Sequence, residues 1–172
     1  MIEVKEKRNI DTTLLSLDSS TKDTGYAIYI NGQYYHSKAI DVSNIKDSEQ
    51  RMNEMIYSIY TLFNKYNPSI VVVELTSVMR NPDTQRKLTM VLGAILGKCI
   101  EYGAEFHAYR PTEWRAIVKD KDEKLPKKRE ELKQWALDKC HALGYKVTDD
   151  NEAEAILLGL AYIKQWTVES EE

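Results

Sequence analysis

Three places in this sequence concentrate carboxylates where chemistry could use them. The apolar run Thr13-Leu-Leu-Ser-Leu ends on Asp18, the run Ser69-Ile-Val-Val-Val ends on Glu74, and Asp149-Asp-Asn-Glu-Ala-Glu154 opens a stretch of helical spacing. Each has an ordinary explanation when taken alone: Asp18 can begin a turn, Glu74 can be a solvated strand end, and Asp149 to Glu152 can cap a helix and favour its dipole. Brought together without a paired Lys or Arg, three or four carboxylates would repel one another by roughly several kcal/mol, and a divalent cation is their natural partner. An all-oxygen set with no CxxC and no His pair suits Mg²⁺ or Mn²⁺ better than Zn²⁺. Two such ions about 4 Å apart are the standard device for in-line hydrolysis of a phosphodiester.

The elements that must position these groups follow from the apolar periodicity. Thr13 to Asp18 reads as a strand entering the polar turn Ser19-Ser-Thr-Lys-Asp-Thr-Gly25. Tyr26 to Ile30 and Gln33 to Ile40 flank Asn31-Gly32, the strongest short hairpin signal, so three antiparallel strands are expected. Met52, Met55, Ile56, Ile59, Leu62 and Phe63 recur at spacings of three and four, which predicts a helix over Asp47 to Tyr66 that Asn67-Pro68 ends. The continuous β-branched run into Glu74 reads as a central strand buried on both faces. If the first and fourth strands lie side by side and parallel, Asp18 and Glu74 emerge together at the carboxyl edge, where open α/β sheets place their ligands.

A second helix is expected over Asp83 to Tyr102, stopped by Gly103, with Gly93 and Gly97 on one face for close packing inside the monomer or against a second copy. A fifth strand, Ala104 to Tyr109, precedes a short helical segment from Pro111 that carries Trp114 and Arg115. Lys119 to Lys128 reads as a mobile charged loop, and two helices, Lys127 to Leu143 and Asp150 to Trp166, finish the order βββαβαβαα. The expectation is one α/β domain over residues 13–166, a five-stranded mixed sheet flanked by helices, with an N-terminal extension at 1–12 and an acidic tail at 167–172.

Length and composition narrow the classes. At 172 residues the chain suits one domain and is short for a two-lobed kinase. No apolar run reaches the roughly 18 residues of a membrane span, so no membrane partner is expected. The polar N-terminus MIEVKEKRNID lacks a secretory pattern and points to the cytosol. Cys99 and Cys140 carry no metal or disulfide spacing. The net charge of −3 hides an asymmetry: residues 78–139 hold 14 basic and 10 acidic side chains, and residues 140–172 hold 2 and 7. A basic middle beside an acidic end allows a cationic surface around an acidic centre, although scattered solvated charges would give the same count.

Leu17-Asp18-Ser-Ser-Thr-Lys-Asp-Thr-Gly25-Tyr26-Ala resembles the first motif of RuvC-type Holliday-junction resolvases, and Val71-Val-Val-Glu74 their second. Arg80-Asn-Pro-Asp-Thr-Gln-Arg-Lys-Leu88 with the Gly93/Gly97 helix, Tyr109-Arg-Pro-Thr-Glu-Trp-Arg115, and Asp150-Asn-Glu-Ala-Glu-Ala-Ile-Leu-Leu-Gly-Leu-Ala161 are similar to the later motifs. The resemblance runs over residues 13–165 and is to a phage-type member. It implies a ribonuclease-H-like fold, a homodimer, and paired cuts in branched DNA with Mg²⁺ or Mn²⁺, two ions per site. By motif, Asp18 and Glu74 are the strand-borne ligands and Glu154 stands where the family has the second of two helix-borne ones, usually Asp. The other helix ligand falls on Asn151, which offers a carbonyl but no charge, and the neighbouring Asp150 is favoured in its place.

A second departure is Ser77, where family members often carry an aromatic wedge; Met79 or, less well placed, Trp114 would have to serve, so relaxed selectivity among branched structures is expected. Arg80, Arg86, Lys87, Arg110, Arg115, Lys127, Lys128 and Arg129 become candidates for phosphate contacts, with Arg115 and the 127–129 cluster nearest the chemistry. The resemblance specifies no helicase partner. Three alternatives stay open: a ribonuclease-H-like nuclease of the pre-16S rRNA processing type, a non-catalytic DNA-binding relative, and an ATP-binding domain whose phosphate turn would be Asp18 to Gly25.

Overall fold

The computed structural model describes residues 12–75 and 81–167. Five strands form one sheet in the order β3-β2-β1-β4-β5. The strands are β1 (Thr13–Asp18), β2 (Asp23–Ile30), β3 (Gln33–Asp41), β4 (Ile70–Glu74) and β5 (Glu105–Tyr109). The helices are α1 (Ser48–Tyr66), α2 (Pro82–Tyr102), α3 (Pro111–Val118), α4 (Arg129–Ala142) and α5 (Asp150–Thr167). This is the expected mixed α/β architecture. Among the described residues no helix is long and apolar enough to cross a membrane.

Local chemistry sets the element ends. Asn31 and Gly32 both take positive φ, 53° and 75°, in the β2–β3 hairpin. Asp47 caps α1 by accepting from the Gln50 N–H, and Asn67 closes it in the left-handed region. Asn81 and Pro82 start α2, and Gly103 at φ 62° stops it.

The central pair β1 and β4 is parallel, with Leu17 opposite Val73, so Asp18 and Glu74 leave the sheet side by side. Side-chain alternation divides the interior into two layers. Leu15, Leu17, Val71 and Val73 pack beneath α1 and α2, whereas Leu14, Val72, Trp114, Trp135 and the apolar stripe of α5 fill the opposite face.

Helix α5 is fastened unusually tightly to that face. Ser16 Oγ donates to the Ala155 carbonyl at 2.6 Å and Tyr29 Oη to the Ile156 carbonyl at 2.7 Å, so the buried hydroxyls of two strands are satisfied by helix backbone. Gly159 lets the helix come this close: a Cβ there would meet the Tyr29 ring at 2.4 Å. The depth at which α5 lies on the sheet decides where its acidic first turn meets the strand ends.

Two expectations need correction. The loop between α3 and α4 is organised rather than loose, because Glu123 accepts from the Asp120 N–H at 2.9 Å, from Trp135 Nε1 at 2.6 Å and from Lys139 at 3.2 Å. Close packing of Gly93 and Gly97 inside the monomer is also overturned. A Cβ added at either would meet nothing within 4 Å, and the neighbouring Met90, Leu96 and Ile100 are exposed.

Candidate active site

The carboxyl edge of β1 and β4 meets the first turns of α5 and the side of α3. Gly25 is the register partner of Asp18 on β2, and its missing side chain makes room for the Asn151 backbone of α5. That contact carries Glu154, one turn further on, to the end of β1.

Asp18, Glu74 and Glu154 come together there. Burial, then the Glu154 and Glu74 charges, push Asp18 well above the usual carboxylate range, with a hydrogen bond between Asp18 and Glu154 acting in the same direction. These influences favour the protonated form of the Asp18 carboxyl over the charged one. Glu74 is pushed up to about 7, chiefly by burial and also by Glu154, against the opposing pull of Trp114 and Arg115. Two consecutive residues of α3 hold the other two acids. Trp114 Nε1 donates to Glu74 Oε2 at 2.6 Å, and Arg115 Nη2 donates to Glu154 Oε1 at 2.7 Å. The Arg115 guanidinium also lies over the Trp114 ring, 4.8 Å from its centroid.

The remaining helix acids go elsewhere. Asp149 caps α5 by accepting from the Glu152 N–H at 2.9 Å. Asp150, favoured from sequence as the fourth ligand, forms an ion pair with Lys133 of α4 at 2.8 Å, and Asn151 rests its backbone carbonyl against Gly25. Glu152 accepts from Ser37 Oγ at 2.6 Å, which ties the first turn of α5 to β3.

The basic candidates divide. Arg115 belongs to the centre itself. Arg110 begins α3, where its backbone N–H donates to Glu113 Oε2, and its side chain is exposed. Lys127, Lys128 and Arg129 are exposed at the start of α4, Lys128 lying 3.5 Å from Glu131. Lys87 is a correction: its ammonium is buried, bonded to Ser48 Oγ at 2.7 Å and to Asp83, and so fastens α2 to the start of α1. Arg86 is committed in the same network, to Glu49 at 2.7 Å and Asp83 at 3.0 Å. Trp114 has no exposed surface, which removes it as a stacking wedge. Arg80, Ser77 and Met79 lie outside the described residues.

The donor chemistry of the trio fits a hard divalent cation. The three acids offer only oxygen, they are largely buried, and the single guanidinium of Arg115 does not balance them. Among the described residues no three such side chains already enclose a metal position. Glu154 is instead turned toward Arg115 and Glu74 toward Trp114.

A mixed five-stranded sheet with acids at the ends of its two central parallel strands, met by an acid from the last helix, defines a ribonuclease-H-like protein. The family model for the crossover junction endodeoxyribonuclease RuvC matches residues 14–129, and the chain belongs to that family. A RuvC of Prosthecochloris aestuarii is 31% identical over 113 residues, covering 63% of this chain and 60% of the relative. The chain thus spans about three-fifths of the length of this curated relative. The fold is shared with Thermus thermophilus RuvC in complex with a Holliday junction substrate, at TM-score 0.67 and 18% identity over 88% of this chain and 93% of that one. It is also shared with the Fowlpox virus resolvase complexed with Holliday junction DNA, at TM-score 0.60 and 17% identity over 90% and 99%.

The sequence placed Arg115 near the chemistry but did not reveal its pairing with Glu154, the bond from Trp114 to Glu74 or the role of Lys133. Trp114 lies 40 residues from Glu74 along the chain, and no local pattern signals an indole reaching a strand end. The adjacency of Arg115 to Trp114 was the available hint.

Proposed function

We propose that this protein is a metal-dependent endonuclease that cleaves Holliday junctions and related branched DNA by hydrolysing phosphodiester bonds. The observation that carries the reading is the convergence of Asp18, Glu74 and Glu154 at one sheet edge with Arg115 as their only close counter-charge among the described residues. Family membership supports the reaction class, and the Holliday junctions named with the Thermus and Fowlpox proteins support the substrate.

Asp18, Glu74 and Glu154 would hold Mg²⁺ or Mn²⁺, with Asp150 or Asn151 completing the set. The bound ions would activate water and stabilise the leaving oxygen. The chain's own residues supply the rest. Burial between two helices limits water at the acids, and Arg115 places a positive charge where a phosphate would approach. Lys127, Lys128, Arg129 and Arg110 offer exposed cations for the flanking backbone. Accommodating a cation would favour the charged form of Asp18 and would have Glu154 exchange the guanidinium for the ion.

Cutting both strands of a junction calls for two centres. A second copy packed on the α2 face of Met90, Gly93, Leu96, Gly97 and Ile100 would provide them, since that face is apolar, open and free of Cβ atoms at its middle.

The test compares a synthetic four-way junction with matched linear duplex DNA and RNA in Mg²⁺ or Mn²⁺. Preferential cutting of the junction is expected. Preferential cutting of structured RNA would instead favour the rRNA-processing alternative, and no cutting of any substrate would contradict the reading.

A further inference from the structure

We propose that Trp114 is a positioning residue whose indole N–H sets the orientation of Glu74 for metal binding. The inference rests on the reading of Glu74 as a ligand and goes beyond it, because it assigns the orienting group.

Glu74 is the last residue of β4, and a strand-end side chain with three rotatable bonds has no fixed aim of its own. The aim comes from α3. Indole has a single donor and no acceptor, so a Trp whose ring is immobile directs one N–H along one line. The Trp114 ring is immobile in this sense. It has no exposed surface, lies in the core with the Trp135 ring 6.3 Å away, and is covered on one side by Arg115. Its helix is fixed in turn by the bond from the Arg110 backbone N–H to Glu113 Oε2 at 2.7 Å and by packing on α5. The 2.6 Å bond commits Glu74 Oε2, and among the described residues no hydrogen bond to Oε1 is made.

The two α3 contacts differ in kind. Arg115 neutralises Glu154 and so competes with a cation for it. Trp114 is neutral: it removes no charge from Glu74, and its bond can persist while Oε1 binds a metal. Groups that orient a ligand in this way typically change metal affinity by about 10- to 100-fold.

The probe is Mn²⁺, titrated calorimetrically into the full chain and its variants. Trp114→Phe keeps an aromatic ring in the core and removes the donor together with part of the indole's volume. Its Mn²⁺ affinity is expected to fall at least about tenfold, while the metal-free protein still unfolds cooperatively. Equal Mn²⁺ affinity in W114F and the parent overturns the proposal. Glu74→Gln distinguishes failure of the underlying reading: if the parent and E74Q bind Mn²⁺ equally well, Glu74 is not a ligand and the premise is wrong.

Should W114F fail to fold, the parent itself provides the readout. The sequence contains three Trp, and the indole N–H resonances of Trp135 and Trp166 serve as internal references. The Trp114 indole resonance is expected to shift on Mg²⁺ titration in the parent and to stay still in E74Q. A Trp114 resonance that saturating Mg²⁺ leaves in place in the parent overturns the proposal.

Discussion

The backbone carbonyl oxygen of Asn151 lies where a side chain on Gly25 would have to be, 1.8 Å from the position of a Cβ. Gly25 is also the register partner of Asp18, so this contact sets the distance between the strand acid and the helix acid Glu154. Gly25→Ala must push α5 off the sheet. The expected result is a loss of about 1–3 kcal/mol in stability from overpacking, together with loss of junction cleavage. Thermal unfolding and cleavage assays measure the two effects.

The pH dependence of stability has a definite sign. Burial raises Glu74 from 4.5 to about 7, so the folded state favours the protonated acid. Its contribution is intact below the unfolded value and is lost as pH rises through about 7. Metal-free E74Q should therefore gain stability relative to the parent between pH 5 and pH 8, as chemical denaturation at the two pH values would detect. Metal binding runs in the opposite direction, because the cation competes with protons, and Mn²⁺ affinity should increase across the same interval.

Arg115 is expected to show a divided phenotype. Arg115→Gln frees Glu154 from a competing cation, so Mn²⁺ should bind the variant at least as tightly as the parent. Cleavage should nevertheless fall by about 10²-fold or more through loss of a charge beside the phosphate. Calorimetry and single-turnover cleavage measure the two halves separately.

The basic residues should separate by salt dependence. Each phosphate contact contributes about 0.9 to the slope of log affinity against log salt for duplex DNA. Lys128→Ala should reduce that slope, whereas Lys87→Ala should leave it unchanged and lower thermal stability by breaking the contacts to Ser48 and Asp83. A reduced slope in K87A would contradict the assignment.

The open face of α2 predicts its own test. Ile100 is 75% exposed beside Gly97, and Ile100→Lys should shift sedimentation from dimer to monomer while leaving the fold intact.

Asp18 and Glu74 were legible in the sequence because an apolar run ending in an acid records both the strand and its last residue, and parallel pairing then brings the two ends together. Glu154 was legible through helical spacing and motif. The ion pair of Asp150 was not legible because its partner, Lys133, sits on another helix, and the angle between α4 and α5 is not written in either helix's own periodicity. Lys87 read as a surface cation for a similar reason: whether a lysine is solvated or buried depends on the acid and hydroxyl that α1 brings to it. The loop at Glu123 read as loose because its anchors, Trp135 and Lys139, lie in the following helix. Strand-end chemistry is local and can be read along the chain; the donors that aim and balance it come from tertiary packing.

The most direct test is single-turnover cleavage of a four-way junction by Asp18→Asn, with junction binding measured alongside. The substitution preserves the size of the side chain and removes the charge at the point where β1, β4 and α5 meet. The account predicts that binding is retained and cleavage is lost by about 10³-fold or more, the scale on which removal of an electrostatic group at a reaction centre is felt. Cleavage by D18N at the parent rate would contradict it.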